Sequence, residues 1–203
     1  MKPIRVLFWD IGGVLLSNAW DHEERSRAAE RFHLEKDEFE SHHKEAVQTL
    51  EEGKISLDEY LDCTVFRQLP SFSRQEFKRY MFSLSQPKTE VLALARVLAE
   101  RYVMATINNE SRELNEYRLR EFGLLQIFDL FVSSCYVGIR KPDEKIYRLA
   151  LDLIQKSPEE CCFIDDRAVN IEGAAKVGVR TILMQNLTQL KLDLLGLGVQ
   201  SPL

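Results

Sequence analysis

The 203-residue chain has no block of basic residues: Lys plus Arg number 27 against 32 Asp plus Glu, for a net charge of -5. Nucleic-acid binding depends on phosphate neutralisation by clustered Lys and Arg, so no nucleic-acid partner is expected. Long apolar runs are also missing. Val6-Leu7-Phe8-Trp9 follows Lys2 and Arg5 as the core of a signal peptide would, but Asp10 cuts it after four residues. Nothing approaches the roughly 18 apolar residues of a membrane helix. Cysteine is scarce: Cys63, Cys135, Cys161 and Cys162, none in a C-x-x-C pair. That usage speaks against a disulfide framework and against a zinc site. There is no internal repeat and no low-complexity segment. A cytoplasmic, full-length chain with no membrane partner is expected; the oligomeric state, monomer or homodimer, is left open.

What is present is ordinary globular composition, 45% hydrophobic and 29% charged. The length suits one domain, or one domain with an insertion, and is enough to bury a core unaided. Five short apolar runs read as strands: Arg5 to Trp9, Tyr102 to Ile107, Leu130 to Ser133, Cys161 to Ile164 and Thr181 to Met184. Near-continuous apolarity is what a parallel strand shows when helices cover both sheet faces. Helical patterns separate the later runs: Lys88 to Glu100, Ser111 to Phe122, Asp143 to Gln155 and Ala168 to Val177. Ser111 is a cap candidate, and Gly123 and Gly178 are stop signals. The alternation predicts an α/β doubly wound parallel sheet of Rossmann-like type. Leu187 to Leu195 has helical leucine spacing and is expected to pack on the sheet.

Residues Asn18 to Ser85 break the alternation. They read as amphipathic helices near Asp21 to Phe32, Lys36 to Glu51, Ser56 to Phe66 and Ser73 to Leu84. Turn signals fall at Glu52-Gly53 and Leu69-Pro70-Ser71. This predicts a helical cap over 18–85 inserted into a core formed by 1–17 and 86–203. Ligands of open α/β sheets bind beyond the carboxyl ends of the strands, so a block inserted after the first strand covers that site.

Polar clusters occupy the ends of the first four strands. They are Asp10-Ile11-Gly12-Gly13, Asn108-Asn109, Arg140-Lys141-Pro142-Asp143, and Asp165-Asp166 with Asn170 beyond. Each has an ordinary role when taken alone: turn residue, helix cap, solvated lysine or loop residue. Converging on one sheet edge, Asp10, Asp165 and Asp166 would repel without a cation among them. Oxygen-only ligands suit Mg²⁺, which commonly shares a phosphate with its carboxylates. A lysine and amides in the same place would hold that phosphate, and a carboxylate there can attack phosphorus.

These motifs in this order, from Phe8-Trp9-Asp10-Ile11-Gly12-Gly13-Val14-Leu15 to Phe163-Ile164-Asp165-Asp166-Arg167, resemble those of the haloacid dehalogenase-like hydrolase superfamily. The inserted helices resemble the cap of its branch that holds bacterial sugar-phosphate phosphatases and the N-terminal phosphatase domain of soluble epoxide hydrolases. The resemblance implies a Mg²⁺-dependent phosphatase for a small phosphorylated metabolite, such as a sugar phosphate. Asp10 would be the nucleophile and a metal ligand. The Gly12 carbonyl, Asp166 and Asp165 would complete the metal set. Asn108, Asn109 and Lys141 would hold the phosphate, with Lys141 also catalytic, and Gly13, Gly138 and Asn170 would support the site. Trp20 and Lys54 in the insertion are specificity candidates.

Two positions depart from the family pattern. Gly12 stands where most of its phosphatases carry a second Asp that protonates the leaving group. Asn108 stands where Ser or Thr is usual. General acid help is typically worth about 10²–10⁴-fold, so aryl or anomeric phosphates would be the easier substrates. The departures motivate an alternative, a weakly active or non-catalytic member that binds a phosphorylated ligand or a protein. A metal-independent haloacid dehalogenase is a third reading, disfavoured because Asp165-Asp166 is retained.

Overall fold

The computed structural model describes residues 2–67 and 70–200. Its centre is a five-stranded parallel sheet in the order β3-β2-β1-β4-β5. The strands are β1 (Val6–Trp9), β2 (Val103–Asn108), β3 (Leu130–Ser133), β4 (Cys161–Asp165) and β5 (Arg180–Leu183). All five predicted runs form strands, shifted by no more than a residue at their ends. The order reverses at β1, which pairs with β2 on one side and β4 on the other. That is the switch point where the carboxyl ends of an open α/β sheet form a crevice.

Side chains alternate between two buried layers, as the two-residue period of a strand requires. Leu7, Trp9, Met104, Cys162 and Ile164 face one layer, covered by α5 (Thr89–Leu98) and α10 (Leu187–Gly196). Val6, Phe8, Ala105, Cys161 and Phe163 face the other, covered by α8 (Glu144–Ile154) and α9 (Ala168–Lys176). Both cysteines of the Cys161-Cys162 pair are strand core, one on each face. The C-terminal helix packs through Leu190 and Leu194 and leaves Leu192 and Leu195 exposed.

Four helices lie between β1 and α5: α1 (His22–Phe32), α2 (Lys36–Glu51), α3 (Leu57–Thr64) and α4 (Arg74–Ser83). Asp21, Ser56 and Ser73, read as helical from the pattern, are the N-caps of α1, α3 and α4. Their short oxygens satisfy first-turn N–H groups that have no partner within the helix. Leu69 of the predicted Leu69-Pro70-Ser71 turn lies outside the described residues. These helices share an apolar cluster built on Phe32, Phe39, Leu61, Phe77 and Met81. One core residue joins it, Leu114 of α6 (Arg112–Glu121). The same helix stacks Tyr117 on Phe82, and its Glu113 accepts the Leu57 N–H at 2.9 Å. Helix α6 is therefore the seat of the cap. Among the described residues no helix is long and apolar enough to cross a membrane.

His43 is buried within the cap, whereas its neighbour His42 is on another face. The Tyr60 hydroxyl accepts from the Trp20 indole N–H at 3.0 Å and lies 2.8 Å from Nδ1 of His43. The indole can only donate, and the hydroxyl can either donate to or accept from Nδ1 of the buried His43. Burial, with Arg25 nearby, holds its pKa down at about 4, while Glu40 and Asp21 oppose the shift and Lys44 adds to it. Above pH 6.5 the ring is neutral whether the chain is folded or not. Between about 6.5 and 4 only the unfolded chain takes up the proton, so stability is lost as pH falls through that window. The expected loss is about 3 kcal/mol at 1.36 kcal/mol per unit. Thermal melting at pH 7 and pH 4.5 should show it, and His43→Gln should flatten the profile relative to the parent.

Candidate active site

Register explains why the carboxylates meet. Trp9 pairs with Ile164, so Asp10 and Asp165 leave adjacent strands side by side, and the Asp10 N–H donates to the Ile164 carbonyl at 2.9 Å. Asp10, Asp165 and Asp166 each bring an oxygen within 4.8 Å of the others. Lys141 reaches between two of them. Its Nζ lies 2.8 Å from Asp10 Oδ1 and donates to Asp165 Oδ2 at 2.6 Å, with the lysine 3% exposed. The ammonium sits over the Phe163 ring, 5.3 Å from its centroid.

Asp165 is fully enclosed by donors: Lys141, the Arg167 N–H at 2.8 Å and the Asn170 amide at 3.0 Å. Asn170 therefore supports the site through Asp165. Asp10 Oδ1 takes the Ile11 N–H at 2.8 Å as well as Lys141. Among the described residues no hydrogen bond reaches Asp10 Oδ2. Burial pushes the Asp10 carboxyl well above the ordinary aspartate range, against the pull of Lys141 and with further push from Asp165 and Asp166. For Lys141 burial pulls the ammonium down, but Asp10 and Asp165 outweigh it and its pKa ends above the usual lysine value. Asp166 is raised too, by burial and by Asp165. One of its oxygens, Oδ1, is buried with no hydrogen-bond partner. A buried carboxylate oxygen left unpaired beside two more carboxylates is a strong electrostatic cost in the absence of a cation. The residues present fit a hard divalent ion.

Gly13 makes this packing possible. Its φ is +76°, and a Cβ there would stand 2.0 Å from Asp166 Oδ2. Gly12 differs, because a Cβ there would meet Arg118 Nη1 and Asn18 Oδ1 at 3.5 Å, an ordinary contact. Nothing in the local packing demands glycine at 12.

Asn109 and Asn108 both commit part of their side-chain amides to protein partners. The Asn109 side chain pairs with the backbone of Lys141 in both directions, accepting its N–H at 2.9 Å and donating to its carbonyl at 3.0 Å. Asn109 lines the cavity and fixes the turn that carries the lysine. Asn108 is buried and donates to Asn115 Oδ1 at 3.0 Å while accepting from Ser133 Oγ at 2.9 Å. One N–H of its amide is therefore committed inside the fold. Ser111 begins α6 in extended backbone but makes no side-chain cap bond; its N–H donates instead to Glu110 Oε1 at 2.9 Å. A one-turn helix, α7 (Ser134–Val137), follows β3 and ends at Gly138 with φ +69°.

A cavity of about 370 Å³ opens above Asp10 and Lys141, between core and cap. Trp20, Arg25, His43, Glu51 and Met81 line it from the cap side. Two ion pairs join cap to core beside it, Arg140 with Glu51 at 2.5 Å and Arg167 with Asp21 at 3.0 Å. Trp20 thus reaches the cavity, as expected. Lys54 does not; it is exposed and pairs with Glu52 at 2.5 Å. Among the wall residues not singled out from the sequence are Glu110 and Arg118. The signal available for Arg118 was its place on the α6 face of Leu114 and Asn115, where a buried charge is unusual.

The model of the haloacid dehalogenase-like hydrolase family matches residues 4–178, and the chain belongs to that family. Among individual proteins, it is 41% identical over 63 residues to bifunctional epoxide hydrolase 2 of Mus musculus, a stretch covering 31% of this chain and 11% of that protein. It is 31% identical over 117 residues to phosphoserine phosphatase of Thermus thermophilus, covering 57% of this chain and 45% of that enzyme. A HAD family enzyme of Bacteroides thetaiotaomicron, solved with magnesium and inorganic phosphate, superposes with a TM-score of 0.75 at 23% identity. That match covers 92% of this chain and 98% of the other. The matched stretches of these two curated relatives span less than half of each protein's length.

Proposed function

We propose that this hydrolase is a Mg²⁺-dependent phosphatase that cleaves a small phosphorylated metabolite through an aspartyl-phosphate on Asp10. The observation that carries the reading is Asp10 itself. Its Oδ1 is pinned by Lys141 and the Ile11 N–H while Oδ2 stays free beside a carboxylate cluster with an unpaired buried oxygen. Asp10, Asp166 and the Gly12 carbonyl would hold the ion, with Asp165 beside them. When bound, Mg²⁺ neutralises the carboxylates and draws charge from the transferring phosphoryl group.

The chain's own residues do the rest. Asp10 Oδ2 attacks phosphorus in line with the leaving oxygen. Lys141 favours the anionic form of Asp10 and offers its third proton to a phosphoryl oxygen. Asn109 holds the backbone of that lysine, so the ammonium needs no rearrangement during reaction. The 370 Å³ cavity suits a sugar-sized substrate. Support from relatives is of the same kind: the Thermus protein is a phosphoserine phosphatase, and the Bacteroides structure holds magnesium and phosphate.

The test is hydrolysis of p-nitrophenyl phosphate with Mg²⁺ and with EDTA. Turnover that disappears in EDTA and returns with excess Mg²⁺ is expected. The glycine at 12 favours a second reading, binding of a phosphorylated ligand without turnover. Absence of turnover on aryl and sugar phosphates would bring that reading forward. Chloride release from a 2-haloacid in EDTA would instead establish the dehalogenase.

A further inference from the structure

Gly12 brings no proton-carrying side chain to the first motif, yet a carboxyl from another element stands near that place. Glu110 follows β2, is buried, and lines the same cavity as Asp10 and Gly12. Its Oε2 accepts from Arg118 Nη1 at 2.8 Å, and that same Nη1 is 3.5 Å from where a Cβ on residue 12 would stand. A single guanidinium nitrogen separates the Glu110 carboxyl from the position of a first-motif acid.

The arrangement is rigid. Arg118 Nε donates to Ser85 Oγ at 3.1 Å, and Nη2 donates to the carbonyls of Ser17 and Asn18 at 3.1 and 2.6 Å. These contacts tie the guanidinium to both crossovers between core and cap. Glu110 Oε1 takes the Ser111 N–H, so the carboxyl has one orientation. Arg118 also donates to Ser85 and to the Ser17 and Asn18 carbonyls, so the guanidinium stays anchored when Glu110 takes up a proton. Burial pushes Glu110 up to about 7 against the pull of Arg118; Glu51 of α2 pushes the same way, and the Cys135 thiol of α7 is its other titratable neighbour. A carboxyl half protonated near neutrality is suited to give and take a proton.

We propose that Glu110 serves as the proton carrier that position 12 lacks, positioned by Arg118; this deepens the phosphatase reading and rests on it. In the first step an Asp10 oxygen bonds to phosphorus. The bond from phosphorus to the leaving oxygen breaks with its electron pair on that oxygen, which takes the Glu110 proton and departs as an alcohol. In the second, water attacks the aspartyl phosphate at phosphorus and gives a proton to the Glu110 carboxylate. The bond to Asp10 breaks, returning its carboxylate and free phosphate, and Glu110 ends protonated as it began.

The experiment is a leaving-group series, alkyl to aryl phosphates with Mg²⁺, run on the parent, Glu110→Gln, and Glu110→Gln combined with Gly12→Asp. The parent should show kcat/KM that varies little with leaving group. Glu110→Gln should lose about 10²–10³-fold on alkyl phosphates and less than about tenfold on p-nitrophenyl phosphate. The added Asp at 12 should recover at least about tenfold on the alkyl esters. Equal losses on both ester types would overturn the inference, since a structural role lowers them together. So would a steep leaving-group dependence in the parent, a result that needs no variant to fold. A parent inert on every ester overturns the phosphatase reading and this inference with it; an active parent with either adverse pattern overturns this inference alone.

Discussion

Asp10→Asn is expected to lower Mg²⁺-dependent phosphate-ester turnover by at least about 10⁴-fold, the scale of removing an enzyme's nucleophile. The amide has nearly the shape of the carboxylate and can still accept the Ile11 N–H, so the fold should persist. Lys141 keeps its 2.6 Å contact to Asp165. Stability should not fall. The Asp10 carboxyl titrates above its unfolded value because burial opposes its charge. At pH 8 the ionised group therefore weighs against folding, and a neutral amide relieves that strain. Steady-state kinetics beside a thermal melt in EDTA checks both halves. Lost turnover with an unchanged or raised Tm is the expected pair of results.

Lys141→Met should damage both function and fold. The ammonium is the counter-ion of two buried carboxylates, one of them fully enclosed. Removing one partner of a buried ion pair typically costs about 3–5 kcal/mol, because the charge left behind has no compensation. Methionine keeps the length of the side chain, so the loss is electrostatic rather than a cavity effect. Asp10, already raised by burial against the pull of Lys141, takes up a proton more readily without that cation, so the destabilisation should be smaller at pH 5 than at pH 8. Turnover should fall by at least about 10²-fold, as when one preorganised charge-stabilising donor is removed. Denaturant titrations of parent and variant at the two pH values measure the first effect, and p-nitrophenyl phosphate kinetics the second.

The architecture was largely legible because its signals are local. Apolar runs of four to six residues with polar clusters at their ends mark buried parallel strands, and the parallel register then forces Asp10 and Asp165 together. The cap was visible as helical periodicity with Asp21, Ser56 and Ser73 at its starts. What the pattern could not show is which polar side chains are already committed. Asn108 reads as a free amide at a strand end, yet it is buried and bonded to Asn115 and Ser133. Asn109 turns its amide to the Lys141 backbone, 32 residues away. Lys54 carries the right charge but sits on the surface with Glu52. Glu110 and Arg118 went unread for the same reason. Their pairing with each other and with Ser17, Asn18 and Ser85 joins segments up to 101 residues apart, and no periodicity encodes such contacts.

The central claim is a covalent phosphoryl-enzyme on Asp10, and chemical trapping tests it most directly. Enzyme quenched during turnover of a phosphate ester is treated with borohydride, which reduces an aspartyl phosphate to homoserine, and then digested for peptide mass spectrometry. Homoserine at position 10, appearing only with substrate and Mg²⁺, is the predicted result. Turnover with no reduced residue at position 10, or with the label on another carboxylate, would contradict it.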